Sequence, residues 1–145
     1  MEPLTKEIDA ILSERFGKDS ILALATSVDN TPYVRNVDAF YENGAFYVLT
    51  HALSGKMQQI SQNDTVAIAG QWFTAQGTGI CMGYWNKAEN AGIAERMRQV
   101  FSAWIHNGHT DLQDKNTCIL CIQLKHGVLF ANGVRYDIDF TKRSV

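Results

Sequence analysis

Two short turns constrain what this chain can fold into more than any other feature of the sequence. Residues 20–28 (SILALATSV) are too short and too apolar for an amphipathic helix and predict a buried strand. After a polar turn, residues 33–41 predict the returning strand, and Asn43-Gly44 is a strong hairpin signal before a third strand at residues 45–50. Parallel strands need a crossover of about a dozen residues or more, which neither turn supplies. The sheet is therefore expected to begin antiparallel.

The remaining segments alternate between short strands and helices. Apolar residues at helical spacing predict helices at residues 4–16, 54–62 and 86–105, with Gly17 ending the first of them. Further strands are predicted at residues 65–74, 77–84, 117–124, 127–131 and 134–140, with turns at residues 75–76 and 125–127. Four glycines from Gly70 to Gly83 indicate bulges or close backbone approach. These elements predict a mainly β (α+β) fold, an antiparallel barrel of about six strands with flanking helices.

Composition limits the class of protein. With 145 residues, 46% of them hydrophobic, residues 1–145 are expected to form one domain with a substantial core. The net charge of −2 argues against a nucleic-acid partner, which would require a basic face. No apolar run approaches the ~18 residues of a membrane span, so no membrane partner is expected. No basic region followed by an apolar stretch opens the chain, so we expect a cytoplasmic protein with three reduced cysteines.

Residues 47–60 (YVLTHALSGKMQQI) form the strongest candidate site. The third strand leads through the short polar segment at residues 50–53, which contains Thr50 and His51, to Ser54-Gly55-Lys56. A helix is predicted to begin there, with the Ser54 hydroxyl as its N-cap. A strand that leads into a helix N-terminus, with hydroxyls and a lysine at the junction, suits an anion such as phosphate. The segment is not a P-loop, because the run GxxxxGK[ST] is absent. The alternative is an ordinary capped helix with a solvated lysine.

Arg35 supplies a second cation. It lies in a predicted strand, where an arginine is costly to bury unless it meets an anion. If its strand neighbours the one that leads to Lys56, both side chains can bind one phosphate, with Thr50 and Ser54 as hydroxyl donors.

Other chemistries have weaker support. His106, His109, Cys118 and Cys121 resemble a zinc set on paper, but the two cysteines lie three apart in a predicted strand and face opposite ways. We therefore expect no metal site; Cys81 is expected in the core, and the roles of these five residues stay open. A hydrolase is not expected either, because His51 and Ser54 lack a GxSxG elbow and an acid that would orient the histidine. The aromatic residues around the glycine-rich hairpin, Trp72, Phe73, Tyr84 and Trp85, are expected to pack in the core or at an interface. The alternative for Trp85, which directly precedes a predicted helix, is that it lines the mouth of a pocket.

Two segments resemble the pyridoxamine 5′-phosphate oxidase-like family of flavin-binding split barrels. Residues 31–37 (TPYVRNV) are similar to the family strand "PxxRxV". Residues 46–60, with Thr50, Ser54-Gly55-Lys56 and Gln59-Ile60, are similar to its segment "FYT…S-x-K…QI". Residues 63–67 (NDTVA) continue this second segment and are similar to the family's "NPRVAL". The likeness covers roughly residues 20–77, with the segments in the same order.

This resemblance implies a split barrel that forms a homodimer with FMN at the subunit interface. It makes Arg35, Thr50, Ser54 and Lys56 the phosphate ligands. Groups around Asn36, Val37 and His51 would face the ring or the ribityl chain, and Gln71 and Trp72 would reach a flavin of the same or the partner subunit. Gly55 replaces a second basic residue that the oxidases commonly carry. The chain ends in YDIDFTKRSV, without the arginine- and histidine-bearing segment that binds pyridoxal phosphate.

The resemblance therefore implies an FMN-binding oxidoreductase of the flavin-reductase or general-stress type rather than a vitamin B6 oxidase. Its flavin would carry hydride or electrons between NAD(P)H or another small molecule and an unidentified substrate. Three alternatives stay open at this point. They are a non-enzymatic flavin or haem binder, an F420-dependent reductase on the same barrel, and a structural dimer without a cofactor.

Overall fold

A closed antiparallel barrel of six strands forms the body of the protein in the computed structural model, which describes residues 1–144. The strands are β1 (Glu2–Leu4), β2 (Ser20–Val28), β3 (Thr31–Glu42), β4 (Ala45–His51), β5 (Thr65–Gly70), β6 (Phe73–Tyr84), β7 (Thr117–Ala131) and β8 (Val134–Arg143). Around the barrel the order is β7-β4-β3-β2-β5-β6, and β6 pairs with β7 to close it. β8 extends the sheet from the far half of β7, and β1 runs parallel to β8. The predicted mainly β (α+β) split barrel is confirmed.

Three α-helices flank the barrel in the described part of the chain: α1 (Lys6–Phe16), α2 (Gly55–Gln62) and α3 (Ala91–Val100), with a 3-10 turn (Ala88–Asn90) before α3. The first helix was predicted from residue 4, but residues 2–4 pair with β8 instead and the side chain of Thr5 caps α1. Gly17 ends α1 as predicted. The third helix is shorter than the predicted 86–105, because turns begin at Phe101 and bury both Phe101 and Ile105. No helix among residues 1–144 is long and apolar enough to cross a membrane.

The hairpin between β5 and β6 turns earlier than the sequence indicated. The turn was predicted at residues 75–76, but it lies at Gln71-Trp72, where Trp72 adopts a positive φ of 54° and Gly70 pairs with Phe73. With the turn here, Phe73 and Ala75 both point into the barrel and are buried. Burial of a large aromatic ring outweighs the backbone cost of a non-glycine residue at positive φ. The predicted strand at residues 65–74 was therefore wrong at its end.

The predicted hairpin at residues 125–127 does not exist. β7 runs through this segment as one strand of 15 residues, and β6 pairs with it on both sides of the polar residues. Gln76 pairs with His126 whereas Gly77 pairs with Leu124, so Lys125 is an extra residue in β7, a β-bulge. The partner strand satisfies the backbone on either side, and the exposed lysine and histidine need no turn. The chain reverses later, at Asn132-Gly133, where both residues have positive φ.

On β3 and β4, every second side chain points into the barrel, and these inward-pointing rows end at the candidate site. On β3, Val37, Ala39 and Tyr41 point into the barrel core, and Arg35 is the next residue in this row. On β4, Phe46 and Val48 belong to the same core and Thr50 follows them. A second core cluster, with Phe40, Met97, Phe101 and Ile119, lies on the outer side, where α3 packs. Arg35 and Thr50 therefore stand where the apolar interior ends.

Candidate functional site

Helix α2 packs against this end of the barrel. Its Met57 and Ile60 side chains are buried in the barrel core, which fixes the helix over the ends of the inward rows. Lys56 and Gln59, on the same helix, are half-buried. Because β3 and β4 are neighbours, Arg35, Thr50 and Lys56 lie at the same end of the barrel, as the sequence predicted for adjacent strands.

Arg35 is held entirely by neutral groups. Its Nη1 donates to the Leu24 carbonyl oxygen at 3.3 Å and to Thr26 Oγ1 at 2.9 Å, and its Nη2 donates to Gln59 Oε1. Thr26 Oγ1 in turn donates to Gln59 Oε1 at 2.6 Å. No carboxylate in residues 1–144 forms an ion pair with Arg35, and burial lowers its pKa. Since a guanidinium stays protonated in proteins, Arg35 is an oriented positive charge without a counter-ion among residues 1–144.

Lys56 is a second such cation. Its Nζ donates to Thr50 Oγ1 at 2.8 Å, and no salt bridge involving Lys56 occurs in the described residues. Burial, and then the charge of Arg35, lower the pKa of Lys56. That second cause shows that the two cations are close enough to repel each other. An anion between them would relieve both the repulsion and the desolvation.

Ser54 occupies the predicted N-cap position of α2, but its hydroxyl does not cap the helix. The Oγ atom is buried and has no hydrogen-bond partner among residues 1–144. A buried hydroxyl without a partner costs about 1–3 kcal/mol. The first amides of a helix have no partner within the helix, so donors that lack acceptors collect at this end of α2. The neighbouring Gly55 is open to solvent, and a Cβ there would meet only Gln59 Nε2 at 3.9 Å.

The expectation that no acid orients His51 was wrong. His51 Nε2 lies 2.9 Å from Asp114 Oδ2, and its Nδ1 accepts the amide hydrogen of Leu53 at 3.2 Å. A hydrogen bond from the Asn116 amide, and then the contact with His51, lower the pKa of Asp114. With both ring nitrogens engaged, His51 cannot take a proton from Ser54, so nucleophilic catalysis remains without support. His51 instead ties the turn at Asp114 to the segment before α2.

Arg35, Thr50 and Lys56, with the residues that hydrogen-bond to them, form one cluster. Four other candidate residues lie outside it. Asn36 is exposed on the outer face of β3, whereas Val37 is buried in the core. Gln71 and Trp72 form the β5–β6 turn. Ile68 on β5 is at the same level of the sheet as Arg35, because both pair with Leu24. Gln71 is three residues, or about 10 Å, further along the strand. Trp72 is 70% exposed and packs edge-on against Phe130.

The sequence analysis missed two residues of the cluster. Thr26 and Gln59 position the guanidinium of Arg35. Gln59 could have been found, because it lies three residues after Lys56 and hence on the same face of α2. Thr26 carries no signal in the sequence that distinguishes it from the other hydroxyls of β2.

Cys118 and Cys121 lie on opposite faces of β7, as the strand geometry predicted, but the prediction for Cys81 was wrong. Cys118 points into the barrel core, whereas Cys121 contacts Tyr47 on the other face. Cys81 was expected in the core but is exposed. Within residues 1–144, no three His, Cys, Asp or Glu side chains are grouped closely enough to hold a metal ion. Trp85 is buried, and its indole N–H donates to the Leu112 carbonyl oxygen.

Solved structures with similar folds give the wider context. General stress protein 26 from Bacillus anthracis superposes with a TM-score of 0.68 at 14% identity, over 90% of this chain and 98% of that one. A FAD-binding protein from Mesorhizobium loti gives 0.64 at 15% identity, over 83% and 89%. A protein of the pyridoxinephosphate oxidase family from Clostridium acetobutylicum, related to general stress protein 26, gives 0.60 at 10% identity, over 91% and 92%. A search of protein-family models found no match, and neither did a search of curated proteins. The structural likenesses establish the fold.

Proposed function

We propose that this split-barrel protein binds FMN, holding its phosphate between Arg35 and Lys56, and that it acts as a flavin-dependent oxidoreductase. One observation carries the proposal. In the described part of the chain, two half-buried cations without carboxylate partners lie together at one barrel end, where the buried Ser54 hydroxyl has no hydrogen-bond partner. A site built to bind an anion has these features, whereas a capped helix with a solvated lysine has neither of them.

The donors left free in the structure fit a phosphate group. Arg35 has five N–H groups and uses three of them on Leu24, Thr26 and Gln59, which leaves two. Lys56 uses one of three N–H groups on Thr50, which leaves two more. The Ser54 hydroxyl and the first amides of α2 add further donors. In this arrangement Gln59 and Thr26 act as positioning residues, because they fix the guanidinium before the ligand arrives.

We also propose that a second copy of the chain completes the site. The outer face of β2 and β3 carries the exposed apolar side chains Ile21 and Val34, each about 70% exposed. Alanines of β2 and β5 line a shallow apolar cavity of about 260 Å³ on the same face. Asn36 also points outward from this face. An exposed apolar surface on β3, the strand that carries Arg35, suits a homodimer with the cofactor at its interface. Gln71 and Trp72 would then serve the partner's flavin.

The cofactor supplies chemistry that the side chains lack. When bound, the flavin transfers hydride or electrons at N5, and the protein contributes binding, orientation and the exclusion of water. The FAD-binding protein from Mesorhizobium loti is one protein of this fold named for binding a flavin. We expect NAD(P)H or a similar small cytoplasmic reductant as the donor.

The experiment that tests the function is a titration of the purified protein with FMN, riboflavin, F420 and haem, followed by absorption and fluorescence. We expect FMN to bind, NAD(P)H to bleach its absorption, and riboflavin, which lacks the phosphate, to bind at least about tenfold more weakly, the equivalent of one charged hydrogen bond. Tighter binding of F420 or haem than of FMN would select one of those alternatives. FMN that binds but is never bleached would indicate a flavin carrier. Failure to take up FMN, F420 or haem would contradict the cofactor site itself.

A basic residue at Gly55 should strengthen the phosphate site. Because a Cβ at Gly55 meets no atom closer than 3.9 Å, Gly55→Arg can be accommodated and adds a cation at the N-terminus of α2. We expect FMN affinity to rise about threefold to tenfold, or about 0.7–1.4 kcal/mol, measured by fluorescence titration. Gly92→Arg, at an equally open position of α3, is the matched control and should leave the affinity unchanged. An equal gain for riboflavin and FMN would show that the new arginine does not act on the phosphate.

A further inference from the structure

Cys81 and Cys118 face each other across two strands of the barrel. In the pairing of β6 with β7, Cys81 lies opposite Leu120, and Cys118 is two residues along from Leu120. Side chains two apart in a strand point to the same face, so Cys118 shares the inward face of Leu120. Leu120 and Cys118 both belong to the barrel core cluster. On β6, Cys81 is two residues after the buried Gly79 and therefore points to the same inward face. The two thiols are therefore diagonal neighbours on one face.

The local backbone at this pair departs from a regular sheet. Diagonal neighbours in a regular antiparallel pair are about 7–8 Å apart, slightly beyond the Cα separation of a disulfide. Here the register shifts between Cys81 and Tyr84, so that β6 carries an extra residue, and Gly83 within this bulge has a φ of +79°. A bulge bends and twists its strand. After burial, interaction with Cys81 is among the causes that raise the pKa of the Cys118 thiol, which agrees with this placement.

The two thiols differ sharply in access. Cys81 is exposed and lines an open cavity of about 500 Å³ between α2 and β6, together with Met57 and Asp64. Cys118 is only 1% exposed, and burial, with the neighbouring Cys81, raises its pKa to about 12. A small molecule in the cavity therefore reaches Cys81 and not Cys118. An exposed cysteine beside a buried one has the arrangement of a reacting and a resolving thiol.

We propose that Cys81 and Cys118 form a reversible dithiol–disulfide pair, in which a hydroperoxide oxidises Cys81 and Cys118 then resolves it. In the first step the sulfur of Cys81 attacks a peroxide oxygen. The O–O bond breaks, an S–O bond forms, and an alcohol or water leaves with the thiol proton. In the second step the sulfur of Cys118 attacks that of Cys81; the S–O bond breaks, the S–S bond forms, and water leaves with the proton of Cys118. The two thiols together lose two electrons to the peroxide, and a small dithiol reductant returns them.

The pair borders the anion site, but its chemistry does not require that an anion binds there. Thr50, which accepts the hydrogen bond of Lys56, is directly opposite Cys118 in the pairing of β4 with β7. Cys121 provides an internal control, because it lies on the other face of β7 beside Tyr47. Because it points away from the face that carries the other two thiols, it should stay out of the exchange.

The test is treatment of the full-length protein with hydrogen peroxide, followed by denaturation, alkylation of free thiols and mass spectrometry. We expect the protein to lose the mass of two hydrogen atoms and a Cys81–Cys118 cross-linked peptide to appear. Only Cys121 should then take up the alkylating reagent, whereas all three cysteines should do so before oxidation or after addition of dithiothreitol. Cys121→Ser should cross-link as the unmodified protein does.

Two further variants separate the proposal from its competitors. Cys81→Ser changes an exposed residue, so it should fold and lose the cross-link completely. Cys118→Ser should lose the cross-link and leave Cys81 as a sulfenic acid, which dimedone traps. The proposal is overturned if Cys81 of the unmodified protein proceeds to sulfinic acid while Cys118 stays free. It is equally overturned if Cys81 resists peroxide or forms disulfides only between two chains, which a non-reducing gel detects.

Discussion

Replacing Lys56 with methionine should weaken FMN binding about tenfold to a hundredfold. Methionine keeps an unbranched apolar stem in the half-buried site and removes only the ammonium group. A hydrogen bond to a charged group contributes about 1.5–3 kcal/mol, which corresponds to that change in dissociation constant. The measurement is a fluorescence titration of FMN against the apoprotein. The same titration with riboflavin should show little change, because riboflavin has no phosphate for Lys56 to bind.

Controls for this variant come from the chain itself. Lys125→Met removes an exposed lysine at the β7 bulge and should leave FMN affinity unchanged. The stability of the cofactor-free Lys56→Met protein should change little, because loss of the bond to Thr50 is offset by relief of the repulsion from Arg35. An unchanged dissociation constant for FMN in a folded Lys56→Met protein would remove Lys56 from the site.

Gly77→Ala should destabilise the protein by about 3 kcal/mol or more, at the upper end of overpacking effects. A Cβ on Gly77 would lie 2.3 Å from the carbonyl oxygen of Gln123 and 3.0 Å from its carbonyl carbon. Both are backbone atoms of β7, so no side chain can rotate away and the two strands must separate. β6 and β7 close the barrel, and their pairing next to the Lys125 bulge would be lost locally. In thermal unfolding, the midpoint should fall on the order of 10 °C for a chain of this size.

Gly92→Ala is the matched control for this second variant. No atom lies within 4 Å of a Cβ on Gly92, which is inside α3. Alanine there should stabilise the protein by about 0.5–1 kcal/mol, because glycine is a poor helix former. If both alanine variants unfold at the temperature of the unmodified protein, close approach of the two backbones is not what requires Gly77.

Much of the architecture could be predicted, because the relevant interactions are local. Asn43-Gly44 adopts positive φ at both residues in the structure, as its hairpin signal required, and β2 has the predicted bounds. The four glycines between Gly70 and Gly83 were correctly expected to mark bulges or close approach, and Gly77 does both.

The errors occurred where distant contacts outweigh local preference. The turn at Gln71-Trp72 has no strong turn signal, and it is selected by the burial of Phe73 in a core that the rest of the barrel supplies. Lys125 and His126 look like a turn in sequence, yet β6 pairs with β7 on either side of them. Whether Lys125 and His126 form a turn or part of a continuous strand depends on a partner strand some fifty residues away. No local sequence pattern contains that information.

For the candidate site, the sequence by itself determined which residue types were present: an arginine within a strand, and hydroxyls with a lysine where a strand leads into a helix. Only the tertiary structure decided that Arg35 and Lys56 meet under α2 without a carboxylate among the described residues. It also decided that Gln59 and Thr26 position the arginine, and that Asp114 engages His51. The reason is physical. A strand or helix pattern follows from short-range sterics and burial, whereas an anion site depends on the charges and free donors that packing brings within a few ångströms.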